Sequence, residues 1–130
     1  MQSILLLDDS LEDRFFACRV LKKTHPGCEV HEFSYGEDAL AYIRSPNRRK
    51  LDLLLVDINI PRLNGFEFVD SYSALYSELR GTAPLFLISS SINPDDRARS
   101  EEHPAITGYL EKPLTREALL TVLEPRRSVA

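Results

Sequence analysis

At 130 residues the chain has the length of one domain, enough to bury roughly two-thirds of its unfolded surface. A hydrophobic content of 43% and a charged content of 28% are ordinary for a globular protein. The net charge of −4 speaks against nucleic acid as the main partner, and no apolar stretch approaches the roughly 20 residues that span a bilayer. The opening MQSILLLDD has no basic region before its apolar run, so it reads as a first strand and not as a secretion signal. Cys18 and Cys28 give neither a disulfide framework nor metal-ligand spacing, and a reduced, cytoplasmic protein is expected. Repeats, low-complexity segments and long linkers are missing, which leaves one domain over 1–130 with its core over about 3–124.

Taken in order, Ser3 to Leu7 is a short apolar run that ends in Asp8-Asp9. Ser10 suits a helix N-cap, with Asp13 favourable in the first turn. Leu11, Phe15, Cys18 and Leu21 recur at helical spacing and predict the buried face of the first helix, with Cys18 as a core position. His25-Pro26-Gly27 ends it. Glu29 to Phe33 is a weak second strand, and Ser34 with Glu37 matches a capping box for a helix carrying Ala39, Leu40 and Ile43. Ser45 to Lys50 is a polar, basic loop. Leu51 to Val56 is an apolar run, broken only by Asp52, that stops at Asp57. Such a run fits a strand buried on both faces. Asn64 with Glu67 starts a third helix striped by Phe68, Tyr72, Leu75 and Leu79, and Arg80-Gly81 closes it. Pro84 to Ile88 is the fourth strand, followed by Ser89-Ser90-Ser91. Asn93-Pro94 opens a short fourth helix that ends near His103-Pro104. Ile106 to Leu110 is the fifth strand, Lys112-Pro113 follows, and Thr115 caps a last helix that Pro125 stops.

Five β-α alternations imply a doubly wound parallel α/β sheet with helices on both faces. Asp8, Asp9, Asp57, Ser89 and Lys112 then meet at the carboxyl ends of four strands, where open α/β sheets bind ligands. Two carboxylates about 4 Å apart repel by roughly 4 kcal/mol at an effective dielectric near 20. One lysine cannot neutralise three acids, whereas a divalent cation can. All-oxygen ligands beside a phosphate suit Mg²⁺, with Mn²⁺ as a substitute. An aspartate can also attack phosphorus and form an aspartyl-phosphate. Singly, each residue has a structural reading: Asp9 and Ser10 as a helix start, Asp57 as a strand-end cap, Lys112 as a solvated side chain. Their joint placement at the ends of different strands favours a site.

The chain resembles the receiver domain of bacterial two-component response regulators. The resemblance rests on LLLDD with Asp8 and Asp9, on Asp57-x-x-x-Pro61-x-x-x-Gly65, on FLIS ending at Ser89, and on GYLEKP with Tyr109 and Lys112-Pro113. It implies a flavodoxin-like five-stranded sheet of order 2-1-3-4-5 with five helices. Asp57 would be the phosphoacceptor, attacking a phosphohistidine on a sensor histidine kinase. Asp9, Asp57 and the Asn59 backbone carbonyl would ligate Mg²⁺, with Asp8 acting directly or through water. Lys112, on a cis peptide to Pro113, would pair with the phosphoryl group. Ser89 would be the switch hydroxyl, and Tyr109 would rotate inward and remodel the face of helix 4, strand 5 and helix 5. Asn59 and Ser91, flanking the pocket, would influence the rate of hydrolysis. Asn64 stands where the family often has Asp, and His103-Pro104 interrupts the run into strand 5.

The expected function is a phosphorylation-activated signalling switch that catalyses only its own phosphorylation and dephosphorylation. Because the chain ends soon after the fifth helix, a stand-alone regulator is expected. It would dock on a downstream protein or pass its phosphoryl group onward, and it would form a homodimer through the helix 4–strand 5–helix 5 face. The opening and the strand-3 region resemble the subgroup that accompanies phytochrome-type histidine kinases. Two other classes fit the sequence less well. A phosphorylation-independent scaffold conflicts with the intact acidic pocket. A Mg²⁺-dependent phosphatase of the haloacid-dehalogenase type needs a second Asp where Asn59 stands. His25, His31 and His103 are scattered and receive no metal or catalytic role.

Overall fold

Alternating apolar strands and helices build one parallel sheet covered on both faces. The computed structural model describes residues 2–46, 48–75, 81–90 and 93–123. In chain order the elements are β1 (Ser3–Leu7), α1 (Leu11–Thr24), β2 (Glu29–Phe33), α2 (Gly36–Arg44), β3 (Leu53–Asp57), α3 (Gly65–Ser73), β4 (Leu85–Ser89), α4 (Pro94–Glu102), β5 (Gly108–Glu111) and α5 (Arg116–Leu123). The strands lie in the order β2-β1-β3-β4-β5, every pairing parallel. The expected fold class is the observed one. Expectations placed on Asn47, Leu79, Arg80, Ser91 and Pro125 lie outside the described residues.

The central strands β1 and β3 are buried at every position because both faces are covered. Their side chains divide by the period of two. Leu5, Leu7, Leu54 and Val56 join a core with Ala39 and Ile43 of α2 and Phe68, Val69 and Tyr72 of α3. Ile4, Leu6, Leu53 and Leu55 join the other core with Ala17 and Leu21 of α1 and Leu119 of α5.

Three local expectations differ from the structure. Leu11 and Phe15 do not face the core: they are 70% and 64% exposed, and the buried residues of α1 are Ala17 and Leu21. The helix is turned so that small Ala17 lies against the sheet and Arg14 reaches across to β2. Cys18 is half-buried at the margin of that core, not inside it. Burial and then Glu32 push its thiol up to about 11, which keeps it protonated and inert. Ser34 does not cap α2. The N-cap is Tyr35, with no side-chain cap bond, and the Ser34 hydroxyl accepts instead from Arg14 Nη1 (3.0 Å). The other caps are as expected. Ser10 accepts from the Asp13 N–H, Asn64 and Glu67 form a capping box, Asn93 accepts from the Asp96 N–H, and Thr115 accepts from the Ala118 N–H. β5 is shorter than predicted, because Ile106 closes a turn onto the His103 carbonyl and only Thr107 leads into the strand.

The chain after β3 folds back over its own strand end. The Gly65 N–H donates to the Ile58 carbonyl (2.9 Å), and a Cβ on Gly65 would stand 2.6 Å from the Asp57 carbonyl oxygen and 2.7 Å from Ile58 Cα. Both obstacles are backbone, so only glycine fits. Gly65→Ala is expected to lower stability by about 1–3 kcal/mol through this overpacking, read from the midpoint of urea unfolding. An unchanged midpoint would show that the loop yields freely.

Candidate functional site

The topology fixes where the site falls. β1 lies between β2 and β3, so the chain reverses its direction of travel across the sheet at β1. The register Leu7↔Val56 sets Asp8 and Asp57 side by side at the carboxyl ends of β1 and β3. This is the crevice position of open α/β folds. Asp8 is 1% exposed and Asp57 5%, while Asp9, one residue on, is exposed. Asp8, Asp9 and Asp57 each turn a carboxylate oxygen to within 4.8 Å of the others.

Lys112 closes the group from the far side of the sheet. It follows β5, and its backbone N–H donates to the Ser89 carbonyl (2.9 Å), which ties its loop to the end of β4. The Lys112-Pro113 peptide bond is cis, as expected. The ammonium lies 2.7 Å from Asp8 Oδ2, 2.9 Å from Asp57 Oδ2 and 2.9 Å from Asp13 Oδ2.

Backbone amides hold the carboxylates in place. The Ser10 N–H donates to Asp8 Oδ1 (2.9 Å), and the Asn59 N–H donates to Asp57 Oδ1 (3.0 Å). These bonds leave each of the two acids with its second oxygen on the lysine. Ser89 is buried at the end of β4. Tyr109 is half-buried on β5, beneath the Arg97 guanidinium of α4 at 4.9 Å. The structure therefore brings Lys112 into contact with Asp8 and Asp57, sets an Asp9 oxygen within 4.8 Å of theirs and Ser89 at the same edge, and places Tyr109 one strand out.

Two residues at this edge were not read from the sequence. Asp13 appeared only as a favourable charge at the start of α1, yet it contacts Lys112. Its place in the first turn of the helix that follows the carboxyl end of β1 is the signal that sets it at the same edge. Arg14 lies under the loop between β1 and α1. It donates to the Asp8 carbonyl and to Ser34 Oγ, and it pairs with Glu32 Oε1 at 3.2 Å. Its side chain is largely buried, so it braces the loop that carries Asp8 and Asp9.

The electrostatics are those of an under-neutralised pocket. Burial pushes the Asp8 carboxyl up to about 6, against the pull of the Lys112 and Ser10 hydrogen bonds and with a further push from Asp57. Burial alone would lower the Lys112 value, but its hydrogen bonds to Asp8, Asp57 and Asp13 outweigh this and raise it. The lysine is therefore a permanent cation, and negative charge remains in excess around it. Three carboxylates with all-oxygen donors and one opposing charge fit a small divalent cation.

The sequence pattern of the response regulator receiver domain matches residues 4–124. Among curated relatives, the chain is 28% identical over 120 residues to the sensor histidine kinase AruS of Pseudomonas aeruginosa, covering 92% of this chain and 11% of that one. It is 29% identical over 124 residues to the protein PilH of the same organism, covering 95% of both. A two-component response regulator of Cytophaga hutchinsonii has the same fold, with TM-score 0.82 and 28% identity over 94% of this chain and 93% of that one. The Mn²⁺-bound form of the response regulator Rcp1 aligns with TM-score 0.76 and 26% identity over 95% and 90% of the two chains. With the acidic edge, the lysine and this match over nearly its whole length, the chain belongs to the response regulator receiver domain family.

Proposed function

We propose that this chain is a phosphorylation-activated signalling switch whose phosphoacceptor is Asp57. The observation that carries the reading is the position of Asp57: buried at the end of β3, with one oxygen on the Asn59 N–H and the other on Lys112. A carboxylate so held is fixed in orientation and faces the Lys112 ammonium. An Asp57 oxygen attacks the phosphorus of a phosphohistidine on a sensor histidine kinase. The oxygen–phosphorus bond forms as the nitrogen–phosphorus bond breaks, and the imidazole leaves with the electron pair. Lys112 stabilises charge on the transferring phosphoryl oxygens. A kinase of the phytochrome type is the first to test as donor.

Asp8, Asp9 and Asp57, with the Asn59 carbonyl, are the residues that would hold Mg²⁺ or Mn²⁺, which when bound supplies positive charge to the pocket and to the phosphoryl group. Rcp1, a similar structure, is Mn²⁺-bound, which supports a divalent ion here. Ser89, buried at the same edge, is the hydroxyl placed to follow the phosphoryl group. Tyr109, under Arg97, is the residue through which the change reaches α4, β5 and α5, the surface we assign to the downstream partner and to a homodimer. We read the chain as a single domain that catalyses only its own phosphorylation and dephosphorylation.

Acetyl phosphate with Mg²⁺ is expected to add one phosphoryl group to the wild type and none to Asp57→Asn, by intact-mass measurement. Equal gain in both variants, or none in a folded wild type, would overturn the assignment.

A second expectation follows from Asp8. Its pKa rises on folding from 3.8 to about 6, so between these values the folded chain binds more protons than the unfolded one. Stability from this group therefore falls as pH rises through that window. In chelator-treated buffer, wild-type stability relative to Asp8→Asn is expected to drop by on the order of 2 kcal/mol from pH 4 to pH 7, by urea unfolding. A difference that is flat with pH would show that Asp8 carries no such penalty.

A further inference from the structure

Three carboxylate oxygens crowd the Lys112 ammonium: Asp57 and Asp13 each accept a hydrogen bond from it at 2.9 Å, and Asp8 is ion-paired with it at 2.7 Å. An ammonium donates three hydrogen bonds and no more. With three carboxylates already against it, the lysine reaches a phosphoryl oxygen in competition with them. The three partners are not equivalent. The Asp8 and Asp57 side chains are 1% and 7% exposed, so water cannot replace the lysine there without entering the core edge. The Asp13 side chain is 48% exposed, and water can take its place. Asp13 also stands outside the group of Asp8, Asp9 and Asp57 whose oxygens converge. A cation drawn to that group relieves Lys112 of its duty to Asp8 and Asp57 but leaves Asp13 as a competitor.

We propose that Asp13 is a positioning residue that restrains Lys112 in the resting state, so that release of the Asp13–Lys112 pair is part of phosphoryl uptake at Asp57. The pair joins the first turn of α1 to the loop after β5, segments 99 residues apart in sequence. Both side chains line the cavity that opens between Phe16 and Pro113, so the pair breaks into open space with no need to repack the core. The proposal rests on Asp57 as phosphoacceptor, and the test separates the two.

Phosphoryl uptake by the full chain is followed by intact mass at fixed Mg²⁺ with two donors of different charge, phosphoramidate and acetyl phosphate. Asp13→Asn is expected to raise the uptake rate constant about two- to five-fold, the size of a half-exposed ion pair, and by the same factor for both donors. Asp13→Glu, which restores the carboxylate, is expected to return the rate toward wild type. Asp13→Ser serves as a second uncharged variant, and thermal melts establish that each variant is folded. An Asp13→Asn rate equal to or below wild type overturns the proposal. A gain that is larger for the more highly charged donor overturns it too, because Asp13 would then act by repelling the donor and not through Lys112. A wild type that takes up no phosphoryl group at Asp57 contradicts the proposed function instead.

Discussion

One ammonium group among buried carboxylates is the constraint on which the rest of this structure depends. Lys112 bridges Asp8 at the end of β1, Asp57 at the end of β3 and Asp13 on α1. These residues come from opposite ends of the chain, so the contact exists only when the whole sheet has formed. In isolation the arrangement is unfavourable. Two carboxylates are taken out of water beside each other, and a single cation answers them. Such a pocket holds together because the flanking cores on both faces of the sheet supply the stability that it lacks. It also has an outlet: a cation or a phosphoryl group arriving there changes the charge balance of several strand ends together.

The fold makes this cheap to build. Parallel strands bring every carboxyl end to the same edge, and β1 and β3 are paired neighbours in register. The loop after β3 is pressed onto the strand end by the close approach of Gly65, which fixes Asp57 against Asn59. The loop before α1 is braced from below by Arg14. Lys112 arrives from two strands away, its backbone tied to Ser89. Both carboxylates and the lysine are thus held by main-chain bonds as well as by one another, which leaves the half-exposed Asp13 as the looser partner.

How much of this was legible in the sequence depended on whether the signal was local. Asp8, Asp57 and Lys112 could be placed because apolar runs end at or near them, and a strand end is a local feature. The Asn64–Glu67 capping box and the Ser10 cap were legible for the same reason. The face of α1 was not. Leu11, Phe15, Cys18 and Leu21 have helical spacing, yet the helix buries Ala17 and Leu21 and leaves Leu11 and Phe15 in solvent. Periodicity gives the existence of a face, but its direction is set by tertiary contacts such as that of Arg14 with β2. Ser34 and Glu37 had the residue types of a capping box, but Arg14 claimed the Ser34 hydroxyl. Asp13 was read correctly as a first-turn charge of α1, but that local role hid a second one toward Lys112.

The role we propose for the carboxylate edge is that of a divalent-cation site beside a phosphoacceptor. The most direct measurement is a calorimetric titration of Mn²⁺ into the wild type, Asp9→Asn and Asp57→Asn. Saturable binding of one ion per chain is expected, weakened by each substitution, because each removes a carboxylate from the converging group. Absence of saturable binding to the folded wild type, or binding that neither substitution alters, would contradict it.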